Sequence, residues 1–366
     1  MRTTSALFAL LLAAACDAGR MSQPSDHSGG GAAQGGAGPG PGGLPNTGGM
    51  LPGGAPGMPG PVTPSPTAPG GYYTAGNAIY RADGTKHLFH GLDRPSLEWS
   101  QSGENLSEAD YQLMASWGAN VVRIALNQSF WLQGGGYPEI VDQQVQWGES
   151  AGMDVILDLH WSDRGQGGQA AQQRMADSNS KTFWGQLADK YKGDGRVLFE
   201  LYNEPHDVTW EVWLGGGPSG DGFTVVGMQA LYDTVRAAGA NNLVIVGGLE
   251  NAYDLKGVPT HRVSGYNIAY ATHPYDFPNK QPGNWRTDWG FLASTDPVVV
   301  TEFGVITGSC DSTYYSELIK YADSIGASWT GWAWYVADCK FPSLITDWNG
   351  DPTAAGTVVK TALQGY

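Results

Sequence analysis

The chain of 366 residues carries 20 Lys and Arg against 35 Asp and Glu, which gives a formal net charge of −15. No basic run interrupts this acidic balance, so nucleic acid is excluded as a partner. The acidic balance favours solubility and says little about the fold. The 14 Trp and 17 Tyr either fill a core or offer flat surfaces for stacking.

Residues 1–16 have the pattern of an export signal. Arg2 is followed by an apolar stretch over 6–15, which is too short for an ordinary membrane span. Small residues precede Cys16, as in a bacterial lipoprotein signal in which that cysteine is lipidated, although Ala13 stands where Leu is more usual. Ordinary secretion with cleavage nearby is the alternative. We therefore expect an exported bacterial protein, either secreted or held at the cell surface or outer membrane only by lipid on Cys16.

Residues 17–70 are rich in Gly, Pro and Ser. Between Met21 and Gly70 the only charged residue is Asp26, and there are no aromatic residues. Such a segment buries too little apolar surface to offset its conformational entropy. We predict a disordered linker over 17–70 and one large domain over 71–366.

The large domain alternates short apolar runs with helical stretches. The runs that predict strands are 88–92, 120–125, 154–160, 197–202, 243–246, 267–273, 297–302 and 329–334. The stretches that predict helices are 107–117, 138–151, one through 183–187, 225–238, one near 289–292, 314–325 and 353–363. This succession predicts a (β/α)₈ TIM barrel. A doubly wound open sheet is the alternative, but the domain has no dinucleotide fingerprint to favour it.

Two of the predicted strands end in a glutamate. Glu204 follows the run 197–202 as part of Asn203-Glu204-Pro205, and Glu302 ends the run 297–302. Carboxyl ends of parallel strands meet at one edge, so the two carboxylates would face each other. Hydrolysis of a glycosidic bond needs such a pair. Two unrelated glutamates at strand ends are the alternative.

Other polar and aromatic side chains follow the same strand ends, where barrel enzymes place their reactive groups. They are Arg123, His160, Asn203, His273, Tyr275 and Trp334. The alternatives are a structural ion pair for Arg123, core hydrogen bonds for the histidines and packing for Trp334. No close-spaced ligand motif indicates a metal, so we predict neither metal nor cofactor.

The three cysteines fit an exported protein. If Cys16 carries lipid, Cys310 and Cys339 remain, and both fall in predicted loops after strands. Export permits a disulfide between them. Two buried free thiols are the alternative.

Taken together, the strand-end motifs resemble glycoside hydrolase family 5, a family of retaining (β/α)₈ glycosidases. The resemblance rests on Asn203-Glu204-Pro205, Thr301-Glu302-Phe303-Gly304, His273-Pro274-Tyr275, the Arg123 of Val-Val-Arg-Ile, the His160 of Leu-Asp-Leu-His, and Trp334. It covers the chain from about residue 75 to the end.

This resemblance implies a role for each residue. Glu204 would be the acid/base and Glu302 the nucleophile, with their carboxyl groups about 5–5.5 Å apart. Glu204 would start protonated near neutral pH, favoured by burial and by its negative neighbour. Arg123 and Tyr275 would keep Glu302 ionised.

The remaining implied roles concern the sugar. Asn203 would hold the 2-hydroxyl, His160 and His273 would line the subsite at the cleavage point, and Trp334 would be the floor on which the sugar stacks. Tryptophans in predicted loops would extend the cleft or pack those loops: Trp131, Trp161, Trp285 and Trp289. Lys340 would meet a sugar hydroxyl or be an ordinary surface lysine.

The resemblance also implies a β-linked polysaccharide as substrate. We expect a monomeric endo-β-1,4-glucanase acting on cellulose or mixed-linkage glucan, with a β-mannanase or another β-glycanase of the family as the first alternative. The loop 93–99 differs from the best-known cellulases of the family, which bears on the substrate more than on the reaction. A surface glycan-binding lipoprotein is the non-enzymatic alternative, and the intact pair of Glu204 and Glu302 argues against it.

Overall fold

The computed structural model describes residues 65–162 and 172–366. The predicted signal with Cys16, and the predicted linker as far as residue 64, lie outside the described residues. The last residues assigned to the linker contact the domain: Ala68 is buried, and the carbonyl of Pro66 accepts a hydrogen bond of 2.7 Å from Asn267. The domain therefore begins a few residues before Gly71. None of the helices described here has the length and apolar character needed to cross a membrane.

The strands are numbered in chain order through the described residues. They are β1 (Tyr72–Ala75), β2 (Ala78–Arg81), β3 (Lys86–His87), β4 (His90–Arg94), β5 (Val121–Asn127), β6 (Asp154–Trp161), β7 (Val197–Glu200), β8 (Gly217–Pro218), β9 (Thr224–Val225), β10 (Val244–Gly247), β11 (Ile268–Thr272), β12 (Val298–Val300) and β13 (Ser328–Gly331).

The helices connect these strands and pack around them. They are α1 (Glu108–Ser116), α2 (Gln128–Gln133), α3 (Tyr137–Ser150), α4 (Ser178–Tyr191), α5 (Trp210–Gly215), α6 (Met228–Ala237), α7 (Pro282–Asp288), α8 (Thr313–Ile325) and α9 (Ala354–Leu363), with 3₁₀ turns at Val258–Thr260 and Gly290–Ser294.

Eight parallel strands close into a barrel in the order β4-β5-β6-β7-β10-β11-β12-β13 and back to β4. The predicted (β/α)₈ barrel is therefore confirmed. The structure adds elements that the apolar pattern does not predict, among them the antiparallel sheet β1-β2-β3. Tyr72 and Ile79 of that sheet belong to the same apolar cluster as Val121, Ile156 and Leu198 of the barrel interior.

The alternation of side chains along each strand divides the barrel interior into an apolar layer and a charged layer. Val121, Ile156 and Leu198 belong to the apolar cluster inside the barrel. The residues two positions further along the same strands are charged: Arg123, Asp158 and Glu200. Because side chains two apart share a face, these charges lie inside the barrel towards its carboxyl end.

A buried ion pair fixes the loop that follows β4. Arg94 donates from Nε to Asp110 Oδ2 at 2.6 Å and from its terminal nitrogens to the carbonyls of Pro95 and Glu104. Asp110 lies in the first turn of α1, whose N-cap is Ser107, and its Oδ1 accepts from the indole of Trp334 at 2.6 Å. Asp110 thus joins the first loop, the first helix and the segment after β13.

Replacement of Asp110 with alanine should destabilise the protein strongly. Arg94 would remain buried without its counter-charge, and we expect a loss of about 3–5 kcal/mol in the free energy of unfolding. Urea denaturation followed by circular dichroism measures this. The control is Asp233→Ala on the exposed face of α6, which should change that free energy by less than about 0.5 kcal/mol. A loss below about 1 kcal/mol for Asp110→Ala would contradict the argument.

Candidate active site

Glu204 and Glu302 lie together at the carboxyl end of the barrel. Glu204 follows β7 by four residues and Glu302 follows β12 by two. An oxygen of each carboxylate and a ring nitrogen of His273 lie within 4.8 Å of one another. Glu302 is almost fully buried, whereas the Glu204 side chain keeps 23% of its surface exposed. The two carboxylates therefore share one small site but differ in their access to solvent.

Glu302 receives a donor on each carboxylate oxygen. Arg123 donates from a terminal nitrogen to Oε1 at 2.7 Å, and the hydroxyl of Tyr275 donates to Oε2 at 2.7 Å. Both donors are themselves buried. This arrangement holds the Glu302 side chain in one orientation.

The guanidinium of Arg123 is surrounded by further acceptors inside the barrel. It donates from Nε to Glu200, and its terminal nitrogens reach Asp158 at 2.9 Å, Asn203 Oδ1 at 2.8 Å and Asp93 at 3.3 Å. Burial lowers the pKa of Arg123, but the carboxylates, led by Asp158 and Glu200, outweigh it and raise the pKa overall. Arg123 is therefore a fixed positive charge at the centre of the charged layer.

The carboxylates around Arg123 differ in the direction of their pKa shifts. Burial raises the pKa of Glu200, but the charge of Arg123, with help from His273, outweighs it and lowers that pKa to about 2. Burial raises the pKa of Asp93 and of Asp158 well above the ordinary value, and Arg123 offsets this only in part. Arg123 thus outweighs the effect of burial at Glu200 but not at Asp93 or Asp158.

His273 bridges Glu204 and the interior of the barrel. Its Nδ1 lies 3.2 Å from Glu204 Oε1 and 3.7 Å from Glu302 Oε2. Burial lowers the pKa of His273, but the charge of Glu302 and hydrogen bonds with Glu200 and Glu204 outweigh it and raise that pKa to about 10. The ring is therefore an imidazolium at neutral pH.

The charge of His273 changes the expectation for Glu204. Burial raises the pKa of Glu204, but the hydrogen bond and charge of His273 outweigh it, so the net pKa lies below the ordinary value. The predicted raised pKa of Glu204 is therefore wrong for the unliganded protein. In this state the proton lies on the His273 ring, next to Glu204.

His160 and Asn203 border the same site. His160 Nδ1 lies 2.7 Å from Asp158 Oδ2, and burial lowers the pKa of His160 to about 4, so the ring is neutral. Asn203 Nδ2 lies 3.5 Å from His160 Nε2 and donates to Gln172 at 2.9 Å. Each of the two strand-end histidines therefore has a defined charge and orientation.

Trp334 does not face this site, so the hypothesis that it forms the stacking floor is wrong. It is fully buried, its indole donates to Asp110, and its ring packs against Trp117. The reason is that β13 ends at Gly331, three residues before the predicted end. Trp332 takes the position after the strand, and its ring stacks on His160 with 5.4 Å between ring centroids. A cis peptide bond joins Trp332 to Ala333.

The tryptophans of the predicted loops divide in the same way. Trp131, Trp285 and Trp289 are buried in the core between strands and helices, so they pack the fold. Trp161, the last residue of β6, is half-buried. Lys340 is exposed and lies beside the segment 308–310. The predicted disulfide between Cys310 and Cys339 is present, with 5.3 Å between the Cα atoms, and it joins the loops after β12 and β13.

Several site residues escaped the sequence analysis, although a signal for them exists. Asp158 and Glu200 are charged residues within otherwise apolar strands, and a charge in such a run must be paired because its burial is costly. Trp332 was hidden by the aromatic run 329–334. Two loop residues also contact Glu204: Gln172 donates to its backbone carbonyl at 2.8 Å, and Asn251 donates to its Oε2 at 3.5 Å. No local sequence pattern indicates these two residues.

Glu204, His273 and Glu302 are also spaced as metal ligands would be. The imidazolium of His273 and the guanidinium of Arg123 place two positive charges beside these atoms. A cation would have to displace the His273 proton and face Arg123, so we assign no metal to this group.

The chain was compared with known proteins. It is 30% identical over 201 residues to a manganese-dependent endoglucanase of Phanerodontia chrysosporium, a match covering 51% of this chain and 46% of the relative. It is 24% identical over 315 residues to an endoglucanase of Clostridium saccharobutylicum, covering 79% and 64% of the two chains. The chain spans about half the length of the curated relatives it first matches.

Solved structures share the fold. A β-glucanase from Saccharophagus degradans in complex with cellotetraose superposes with a TM-score of 0.66 at 22% identity, covering 84% of this chain and 98% of the solved one. The catalytic domain of a Thermobifida fusca endoglucanase gives a TM-score of 0.65 at 20% identity, covering 81% and 97%. The family model described as cellulase, glycosyl hydrolase family 5, matches residues 80–338. The chain therefore belongs to glycosyl hydrolase family 5.

Proposed function

We propose that the protein is a retaining endo-acting glycoside hydrolase that cleaves β-1,4-glucan. The observation that carries the proposal is the pair Glu204 and Glu302, whose nearest oxygens lie within 4.8 Å at the end of the barrel. Retaining enzymes hold their carboxyl groups about 5–5.5 Å apart, whereas inverting enzymes need about 6.5–9.5 Å to admit a water.

In the proposed mechanism Glu302 is the nucleophile and Glu204 the acid/base. Glu302 attacks the anomeric carbon while Glu204 protonates the leaving oxygen, and Glu204 then accepts a proton from the water that releases the sugar. Arg123 and Tyr275 each donate to one oxygen of Glu302 and so orient its carboxylate for this attack. A bound glucan would cover the exposed part of Glu204, and loss of water raises a carboxyl pKa, which favours the protonated acid.

Neighbouring side chains have positions suited to the sugar. Asn203 would bind the 2-hydroxyl, and His160 and His273 would line the subsite at the cleavage point. Trp332 replaces Trp334 as the proposed aromatic residue of the site, because its ring, although only 3% exposed, stacks on His160. Trp161 is proposed for a neighbouring subsite.

The choice of glucan rests on the relatives. Those cited above are named as endoglucanases, and one related structure is described with cellotetraose. The loop 93–99 lies at the same end of the barrel, and its difference from better-known relatives keeps β-mannan as the alternative substrate. We propose in addition that the protein acts on its polysaccharide as a monomer and uses no cofactor.

A panel of polysaccharides tests the function. We expect the protein to release reducing ends from carboxymethyl-cellulose and barley glucan in preference to galactomannan, laminarin and xylan. Glu302→Gln and Glu204→Gln should each lower the rate by at least about 1000-fold, since each removes a reacting group. Glu211→Gln, an exposed glutamate on α5, is the matched control and should leave the rate unchanged.

The outcomes separate the alternatives. Release from galactomannan alone would retain the mechanism and replace the substrate. Glucan binding by the folded protein without release from any substrate would favour the glycan-binding lipoprotein.

The two tryptophans after β13 should respond oppositely to substitution. Trp332→Phe shortens the ring that stacks on His160 beside the site, so KM should rise about tenfold with stability nearly unchanged. Trp334→Phe removes the hydrogen bond to Asp110, so the free energy of unfolding should fall by about 1–3 kcal/mol with KM unchanged. Steady-state kinetics and urea denaturation measure both quantities. A higher KM for Trp334→Phe alone would reverse the assignment.

We also infer that the chain is exported and anchored by lipid on Cys16. This proposal is supported by the signal-like sequence 1–16 alone. Expressed in a bacterial host, the full chain should partition with membranes and into the detergent phase of Triton X-114, and Cys16→Ala should abolish both. Wild-type protein found only in the medium would instead favour ordinary secretion.

A further inference from the structure

A buried threonine lies between the interior carboxylate Glu200 and the ring of His273. The hydroxyl of Thr301 donates to Glu200 Oε1 at 2.6 Å, and His273 Nε2 lies 2.9 Å from the same hydroxyl. The other ring nitrogen, Nδ1, lies 3.2 Å from Glu204 Oε1. Glu200, Thr301 and His273 have no exposed surface. These contacts form a continuous chain from the barrel interior to Glu204.

The donor and acceptor roles along this chain are fixed. A carboxylate only accepts, so the single proton of the Thr301 hydroxyl points to Glu200. The hydroxyl oxygen then accepts from Nε2–H of His273, and the remaining N–H of the imidazolium, at Nδ1, donates to Glu204. Turning the single Thr301 proton towards His273 would set it against Nε2–H and would leave the hydroxyl oxygen facing a Glu200 oxygen, two acceptors without a proton between them. The ring therefore has one favoured orientation.

We propose that Glu200 and Thr301 act as a bracket that holds the charged ring of His273 against Glu204, which makes both of them positioning residues for the acid/base. The inference rests on the proposed function for the role of Glu204. Thr301 directly precedes Glu302 in the chain, so one short segment carries the nucleophile and the bracket of the acid/base.

The bracket works within a strongly charged environment. Three carboxylates lie close to the His273 ring: Glu200 at the end of β7, Glu204 after β7 and Glu302 after β12. Further charged or titratable groups nearby come from three other strands: Asp93 on β4, Arg123 on β5, and Asp158 and His160 on β6. Glu200 is the charged carboxylate on the Nε2 side, 3.7 Å from that nitrogen. Glu200 also accepts a hydrogen bond from Arg123, which donates to Glu302. It therefore helps to position a donor for each of Glu204 and Glu302.

A kinetic experiment on the full chain tests the bracket through the leaving group. A phenyl β-cellobioside needs an acid to release its phenol, whereas a 2,4-dinitrophenyl β-cellobioside does not, and kcat/KM reports the first step for both. For Thr301→Val we expect kcat/KM to fall about tenfold on the phenyl substrate and by less than about threefold on the dinitrophenyl substrate. Thr301→Ser keeps the hydroxyl and should restore the phenyl rate.

Thr272→Val is the matched control. Thr272 precedes His273, is fully buried, and donates its hydroxyl to the carbonyl of Tyr253 at 2.9 Å, away from the ring. Its loss should affect both substrates equally. The bracket is overturned if Thr301→Val leaves both rates unchanged, lowers both equally, or is matched in its selectivity by Thr272→Val.

Side-chain ¹⁵N NMR of His273 tests the bracket independently of activity, with the signal assigned by His273→Gln. The wild-type ring should keep both protons well above pH 7, and Glu200→Gln should lower its titration by at least about one pH unit. An unchanged titration would overturn the bracket even if glucan is hydrolysed. A shifted titration in a protein that hydrolyses no glycoside would support the bracket and reject the proposed function.

Discussion

The charged layer of this barrel depends on one guanidinium, that of Arg123. Bringing an arginine into a fully buried position is costly unless acceptors surround it, and here five side chains on or just after four strands supply them. The apolar layer beneath, with Val121 and Ile156, excludes water from below. The carboxylates therefore hold the guanidinium in place, and the guanidinium in turn fixes the orientation of the carboxylates. Glu302 is one of the side chains that it orients.

The same arrangement decides where protons lie. Arg123 and His273 bring two positive charges to a group of carboxylates that outnumbers them. Burial raises the pKa of all three interior carboxylates, and Arg123 outweighs it at Glu200 but not at Asp93 or Asp158; at His273 the neighbouring carboxylates outweigh burial and raise the pKa to about 10. The free protein thus stores a proton on His273, one hydrogen bond from Glu204. A substrate that removes water from Glu204 would meet an acid whose proton source is already adjacent, which relates the barrel interior to the chemistry at its rim.

The sequence predicts the barrel well because its strands are short, mainly apolar runs. Glu204, Glu302 and His273 follow the ends of three of them, whereas Arg123 lies within β5, two residues from its start. The error at Trp334 has a physical origin: the run 329–334 is aromatic and small throughout, so hydrophobicity does not mark Gly331 as the last residue of β13. Glu200 and Thr301 were not predicted as site residues because their role arises from contacts between strands that are about a hundred residues apart.

The charge state of His273 could not be predicted either, since it depends on the sum of several buried groups rather than on any local pattern. Burial lowers the pKa of a histidine, so a strand-end histidine has a raised pKa only where nearby carboxylates have the larger effect. At His273 one of those carboxylates is Glu200, which lies inside the barrel. For the same reason the expected pKa of Glu204 had the wrong direction. Sequence patterns locate the reacting groups, while the direction of each pKa shift requires the full set of neighbours.

The loops at the rim are attached to the barrel by contacts separate from those of the reacting groups. Arg94, Asp110 and Trp334 fix the loop after β4 and the segment after β13, and the disulfide joins the loops after β12 and β13. None of these residues contacts Glu204 or Glu302 through a described hydrogen bond. A substitution at Asp110 or Trp334 would therefore disturb the loop after β4 and the segment after β13 while it leaves the donors of Glu302, Arg123 and Tyr275, in place.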